Sequence, residues 1–195
     1  MAYVPLAGVE PHGTMTAEKH RETEPRRGGR LSRKRRSYEA GHKPKFLVII
    51  DETPECDRAL YFATKRAARV GAQVVMLRVI GTQDRNQQWL GVADIMKAEA
   101  NEEAKIALDK AAERMKKVAA KMKPERVVRE GDTAAEILGL IEHDEDIALL
   151  VLGAGVGSEG PGPLVASLTS TAGAFPIPVA IVPGHLSDDD IDALA

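Results

Sequence analysis

The stretch from Leu149 to Pro163 constrains this chain more than any other. An apolar run, Leu149-Leu150-Val151-Leu152, passes without a polar break into Gly153-Ala154-Gly155-Val156-Gly157-Ser158-Glu159-Gly160-Pro161-Gly162-Pro163, and a helical pattern follows. A buried strand, a glycine-rich loop and a helix N-terminus bring backbone N–H groups to the carboxyl end of a strand. Phosphates bind there in open α/β sheets. The P-loop template is excluded, because it needs a Lys after its last glycine and no Lys occurs between Val151 and Ala195. The dinucleotide template G-x-G-x-x-G matches Gly155, Gly157 and Gly160. It also requires the helix to open at once and an acid about 20 residues on; here Pro161-Gly162-Pro163 delays the helix and Ala180 stands near the acidic position.

The rest of the chain supplies the sheet for this strand. Phe46–Ile50 is a continuous apolar run ending at Asp51, as expected of a strand buried on both faces. Thr53-Pro54-Glu55 then carries helix-start signals, and Leu60, Ala63, Ala67 and Val70 form a core-facing stripe up to Gly71. Gln73–Ile80 is a second strand, and Gly81 opens a polar connection through Gln88. A long helix lined by Ala93, Met96, Ala100, Ala104, Ala107, Leu108, Ala111, Ala112 and Met115 comes next. Glu125–Glu130 is a third strand. Asp132 or Thr133 caps a helix whose Ala135, Ile137, Leu138, Leu140 and Ile141 face the core. After the glycine loop a helix over Leu164–Ala174 carries Ser167, Thr169, Ser170 and Thr171, and Pro176–Pro183 is a fifth strand whose prolines suit a sheet edge. This alternation calls for an α/β fold: a doubly wound five-stranded parallel sheet with helices on both faces.

The first 44 residues differ in kind. Residues 1–45 hold eleven Lys and Arg against five Glu, a net of +6, which leaves −8 for the remainder of a chain of net charge −2. With that charge and little apolar periodicity, 1–44 is expected to be a disordered basic tail. Residues 45–184 form the domain, and 185–195 an acidic terminal segment with a weak helix at 187–194. The run Arg30–Ser37 is able to attract an acidic partner or to present Ser32 and Ser37 to a basophilic kinase. It lacks the interleaved aromatics of a single-strand binder and the apolar core of a secretory signal; Met15 offers an alternative start. The single cysteine, Cys56, has no intramolecular disulfide partner, and no apolar run approaches the roughly 20 residues of a membrane span. A cytoplasmic protein is expected. Cys56 near a helix N-terminus invites a lowered pKa, though no His is placed as its base. His143-Asp144-Glu145-Asp146 reads as a solvated turn rather than a metal site, since consecutive turn residues diverge.

Four of these segments together resemble the universal stress protein family. They are Ile49-Ile50-Asp51 before a helix, Val128–Ile137 around Gly131-Asp132, Leu150-Val151-Leu152-Gly153, and Phe175–Pro183. The resemblance covers about Lys45 to Pro183. It implies strand order 3-2-1-4-5, dimers, and in one branch ATP held by Gly-x2-Gly-x9-Gly-Ser/Thr after the fourth strand. Counted from Gly153, the second glycine position falls on Val156, the third on Ala166 and the hydroxyl on Ser167, so the motif is degenerate. Asp51 matches the family acid that holds ribose or adenine, and Val79 the apolar contact to adenine. Gly155, Gly157 and Gly160 are left to cradle phosphate in another register. The expectation is therefore a stress-response regulator that binds without turnover, with ATP held weakly or not at all and AMP or another adenosine ligand as the alternative. Val156 and Ala166 are expected to be the obstruction. A slow ATP hydrolase using Asp51 and the 153–167 loop is the competing class. Dimerisation is expected through Val179–Val182, whose edge must be covered.

Overall fold

A computed structural model describes residues 34–81, 90–158, 160–170 and 175–195. The tail up to residue 33, including Ser32, lies outside the described residues, as do 82–89, Glu159 and 171–174. Ten elements follow one another: β1 (Lys45–Ile49), α1 (Cys56–Val70), β2 (Gln73–Ile80), α2 (Leu90–Val118), β3 (Glu125–Glu130), α3 (Thr133–His143), β4 (Ile147–Ala154), α4 (Pro163–Ser170), β5 (Val179–Pro183) and α5 (Asp188–Leu194). The strands form one sheet in the order β3-β2-β1-β4-β5. Every neighbouring pair is parallel, with Val48 level with both Met76 and Val151 and Gly153 level with Val182.

Alternation along the strands divides the core into two layers, because successive side chains point to opposite faces. Phe46, Val48, Ile50, Val74, Met76 and Val151 face α1, α2 and α5, whereas Leu47, Ile49, Val75, Leu77, Leu150 and Leu152 face α3 and α4. Leu60, Ala63 and Ala67 of α1 are buried as the stripe predicts, while Val70 is half exposed at the last turn before Gly71, which closes the helix at φ 72°. In α2 the buried stripe runs only from Ala104 to Met115. Lys97 and Asn101 meet Glu130, the last residue of β3, so the turns before them run past the sheet, which leaves Met96 exposed. Asp132 is the cap of α3, its carboxylate accepting the Ala135 N–H at 2.9 Å. Ile137, Leu140 and Ile141 are buried but Leu138 is not. The helix α4 ends at Ser170 among the described residues.

Two stretches that composition set apart are joined to the domain. The 34–44 segment lies against the turn between α3 and β4. Arg35 Nη1 donates to the carbonyls of Ile141 and Asp144, which are acceptors left over at the end of α3. The Arg36 N–H and the buried Ser37 hydroxyl reach the Glu145 carbonyl, and His42 Nδ1 stands 2.7 Å from Asp146 Oδ1. Lys45 Nζ is 2.7 Å from Asp144 Oδ2 and 2.9 Å from Glu125 Oε2. The acidic turn is thus a partly buried ion-pair cluster rather than a solvated one, because this segment folds over it. No group of three or more metal-ligating side chains occurs among the described residues. At the other terminus, α5 buries Ile191 completely against the α1 layer.

Candidate functional site

In this strand order the chain runs outward from β1 to β3, then returns to place β4 on the other side of β1. The point where the order reverses is therefore the crevice beyond the carboxyl ends of β1 and β4, where open α/β sheets hold ligands. Asp51 stands just past β1. One of its oxygens, Oδ1, accepts both the Thr53 N–H at 3.0 Å and the Thr53 hydroxyl at 2.5 Å, which fixes the carboxylate in a tight local turn. Thr53 is thereby engaged with Asp51 instead of capping α1, whose N-cap position is Glu55 with no side-chain cap. Val79, next to last in β2, is partly buried against the α3 and α4 layer. Asp51 and Val79 thus belong to the ends of hydrogen-bonded neighbours, as the sequence pattern implies.

The glycine loop is built differently from the expectation. Gly153 still belongs to β4 and sits directly beneath the start of α1: a Cβ there would stand 2.4 Å from the Glu55 carbonyl oxygen. Its missing side chain allows a helix to touch a strand. A Cβ on Gly155 would meet the Gly160 carbonyl oxygen at 3.1 Å and Glu55 Oε1 at 3.3 Å, and one on Gly184 would meet Glu55 Cβ at 3.1 Å. The loop also bonds to itself, with the Gly155 N–H donated to Pro161 O and the Gly160 N–H to Gly157 O. Gly157 has open space around it. Left-handed backbone is taken up at Gly160 (φ 83°) and Gly162 (φ 94°), and by no non-glycine residue among those described. Val156 is accordingly unstrained, and its side chain is 62% exposed. Ala166 and Ser167 lie in the second turn of α4 with exposed side chains, beyond the helix start at Pro163. Of the obstruction expected at Val156 and Ala166, the backbone strain at Val156 is absent from this loop.

The rim carries three acids, Asp51, Glu52 and Glu55. Arg78 reaches it, donating to the Ile50 carbonyl and to Glu52 Oε1, both at 3.2 Å. Glu55 stands between Gly155 and Gly184, its Oε1 3.3 Å from the Cβ position of the first and its own Cβ 3.1 Å from that of the second. Cys56 is buried, with its thiol directed at the Ile49 carbonyl 3.6 Å away. Burial pushes its pKa up to about 11, opposite to the lowering that a helix N-terminus suggested. Glu55 and Gly184 are the residues that sequence reasoning missed. The only signal for Glu55 was its place behind Pro54 at a helix start, which says nothing about where its side chain points.

A cavity of about 610 Å³ lies at the opposite end of the sheet, between the ends of α1 and α2, lined by Ala67, Ala72, Ala119 and Met122 with Lys43, Lys121 and Lys123 around it. It has no part in the rim.

Comparison with solved structures finds the same fold repeatedly. Universal stress protein UspA from Lactobacillus plantarum superposes with a TM-score of 0.56 at 21% identity, covering 71% of this chain and 97% of that one. A universal stress protein family member from Burkholderia pseudomallei gives 0.52 at 22%, covering 71% and 95%. A universal stress protein in complex with cAMP gives 0.52 at 21%, covering 71% and 96%. Comparison with curated proteins finds no match. Among protein-family models, that of the universal stress protein family matches residues 44–183, from the end of the basic segment to the last residue of β5. With that span and the strand order 3-2-1-4-5, this chain belongs to the universal stress protein family.

Proposed function

We propose that this protein is a regulatory binding protein of the stress response that takes the adenosine part of a nucleotide at the carboxyl rim and does not turn it over. The observation that supports this reading is the pairing of Asp51 and Val79 at the ends of adjacent strands beside the β1–β4 crevice. With Oδ1 of Asp51 held by Thr53, Oδ2 is the oxygen offered to a ribose hydroxyl or the adenine amino group. Val79 offers an apolar contact for a base. A universal stress protein of this fold is solved with cAMP, which contains the same adenosine unit. Turnover of ATP calls for a cation on the transferring phosphate and a positioned water; Arg78 is engaged by Glu52 and Ile50.

A cytoplasmic site of action is part of this proposal. No helix among the described residues is long and apolar enough to cross a membrane. The basic segment is proposed to tether an acidic partner, an attraction expected to fall steeply with salt. Calorimetric titration tests the ligand reading. Adenosine or AMP is expected to bind, and Asp51→Ala to weaken it at least tenfold. ATP is expected to have a Kd above about 100 μM, weaker than roughly −5.5 kcal/mol. Absence of adenosine and AMP binding, or phosphate release lost on Asp51→Ala, would reverse the assignment.

A further inference from the structure

We propose that Glu55 sets the ligand preference of this rim: its carboxylate, seated in the glycine slot, turns phosphoryl groups away and leaves the rim to adenosine with few or no phosphates. The inference rests on the adenosine reading above and adds which nucleotides the site accepts. Its basis is a convergence of four glycines on one residue. Added Cβ atoms at Gly153, Gly155, Gly162 and Gly184 would stand 2.4, 3.3, 4.0 and 3.1 Å from Glu55 atoms, respectively its carbonyl oxygen, Oε1, Oε1 and Cβ. A loop whose composition matches a phosphate cradle is instead the berth of an acidic side chain.

Three further features point the same way. The Gly155 and Gly160 N–H groups, which a cradle would aim at an anion, are donated to loop carbonyls. The neighbouring Asp51 adds negative charge, and Arg78 is committed to Glu52 and to the end of β1. Like charges at hydrogen-bonding range repel, the more so where one of them, as Glu55 here, is partly buried. Finally, Val156 is exposed and takes no left-handed backbone, so that position carries no strain for a glycine to relieve.

The test uses the full-length chain labelled with ¹⁵N, and tripolyphosphate as a probe that owes nothing to adenosine. In Glu55→Gln, which keeps shape and removes charge, tripolyphosphate at millimolar concentration is expected to shift the amide signals of Gly155, Gly157 and Gly160. In the wild type it leaves them unmoved. The ratio of ATP to adenosine affinity is expected to rise at least tenfold in the same variant, while Val156→Gly with Ala166→Gly leaves that ratio unchanged. Glu55→Ser, which removes the side chain as well as the charge, is expected to show the same amide shifts and guards against a repacking effect peculiar to glutamine. Unmoved loop amides in both Glu55 variants overturn the inference even if adenosine binds normally. A gain from Val156→Gly with Ala166→Gly as large as that from Glu55→Gln overturns it too. Loop shifts in the Glu55 variants without adenosine binding in any form uphold the phosphate gate and reject the adenosine reading alone.

Discussion

At the residue scale, the glycines at the end of β4 and in the loop after it differ in how closely neighbours within the chain restrict them. Gly153→Ala places a Cβ 2.4 Å from a backbone oxygen at the start of α1, where no side-chain rotation relieves the clash. Chemical denaturation is expected to show a loss of about 1–3 kcal/mol or more. Gly157→Ala, with open space and no left-handed backbone, is expected to stay within about 0.5 kcal/mol of wild type. A glycine pattern suggests that a Cβ is unwelcome, and this holds at Gly153 and Gly155 but not at Gly157. It does not reveal whether a phosphate or a helix backbone stands in the Cβ position, because both demand the same absence. The placement of Asp51 and Val79 at or near the carboxyl ends of β1 and β2 was legible for a different reason, since the apolar runs mark where those strands stop. Cys56 was misjudged because proximity to a helix N-terminus is visible in sequence and burial is not. Its thiol, pushed up to about 11, is expected to resist alkylation at pH 8 until the protein unfolds. Because the unfolded thiol ionises near pH 8.5, the contribution of Cys56 to stability is intact below that pH and is lost as pH rises through the folded value.

At the element scale, the strands and helices that bury apolar surface on the sheet were readable from periodicity, and those held by polar contacts were not. The acidic terminal segment is the clearest case. Ser187 and Asp190 form a reciprocal capping box, Ile191 is fully buried, and Asp192 is bonded by Lys65 and by the Tyr61 hydroxyl of α1. Arg69 also donates to the carbonyls of Asp192 and Ala195. The α1 partners Tyr61, Lys65 and Arg69 lie far from α5 in sequence, so composition alone suggested a weak helix. Ile191→Ala is expected to cost about 2–4 kcal/mol in denaturant unfolding, as for other fully buried aliphatic side chains. The acids add a pH dependence of definite sign. The Ser187 hydroxyl and N–H hold Asp190 below the usual carboxylate range, and the Lys65 ammonium does the same for Asp192. Their contribution is present above the unfolded value of about 3.9 and is lost as pH falls through the lower folded values. Protection factors in 187–195, corrected for the intrinsic pH dependence of exchange, are expected to fall below about pH 4, before those of the strands of the sheet.

At the scale of the whole molecule, the charge imbalance between the basic start and the acidic remainder marks two different things. Residues 34–44 are latched by Arg35, Ser37 and His42. A deletion through Pro44 is therefore expected to lower Tm by about 4–8 °C, roughly 2 kcal/mol of lost hydrogen bonding to partly buried groups. A deletion that stops before Lys34 is expected to shift it by less than about 2 °C, which thermal scans of the two truncations separate. Assembly turns on the two edges of the sheet. The β3 edge carries Glu125, Arg126, Arg129 and Glu130, charges of the kind that discourage strand addition. The β5 edge is uncharged from Val179 to Val182, lies between Pro178 and Pro183, and leaves Ile181 41% exposed. Antiparallel pairing of two β5 strands about a two-fold axis would satisfy the unpaired backbone groups and cover Ile181 at once. A homodimer through Val179–Val182 is therefore expected in sedimentation at micromolar concentration. Ile181→Lys is expected to give a folded monomer, since the side chain it replaces is not part of the monomer core. A wild-type chain that sediments as a monomer, or an Ile181→Lys variant that remains dimeric, would place the interface elsewhere.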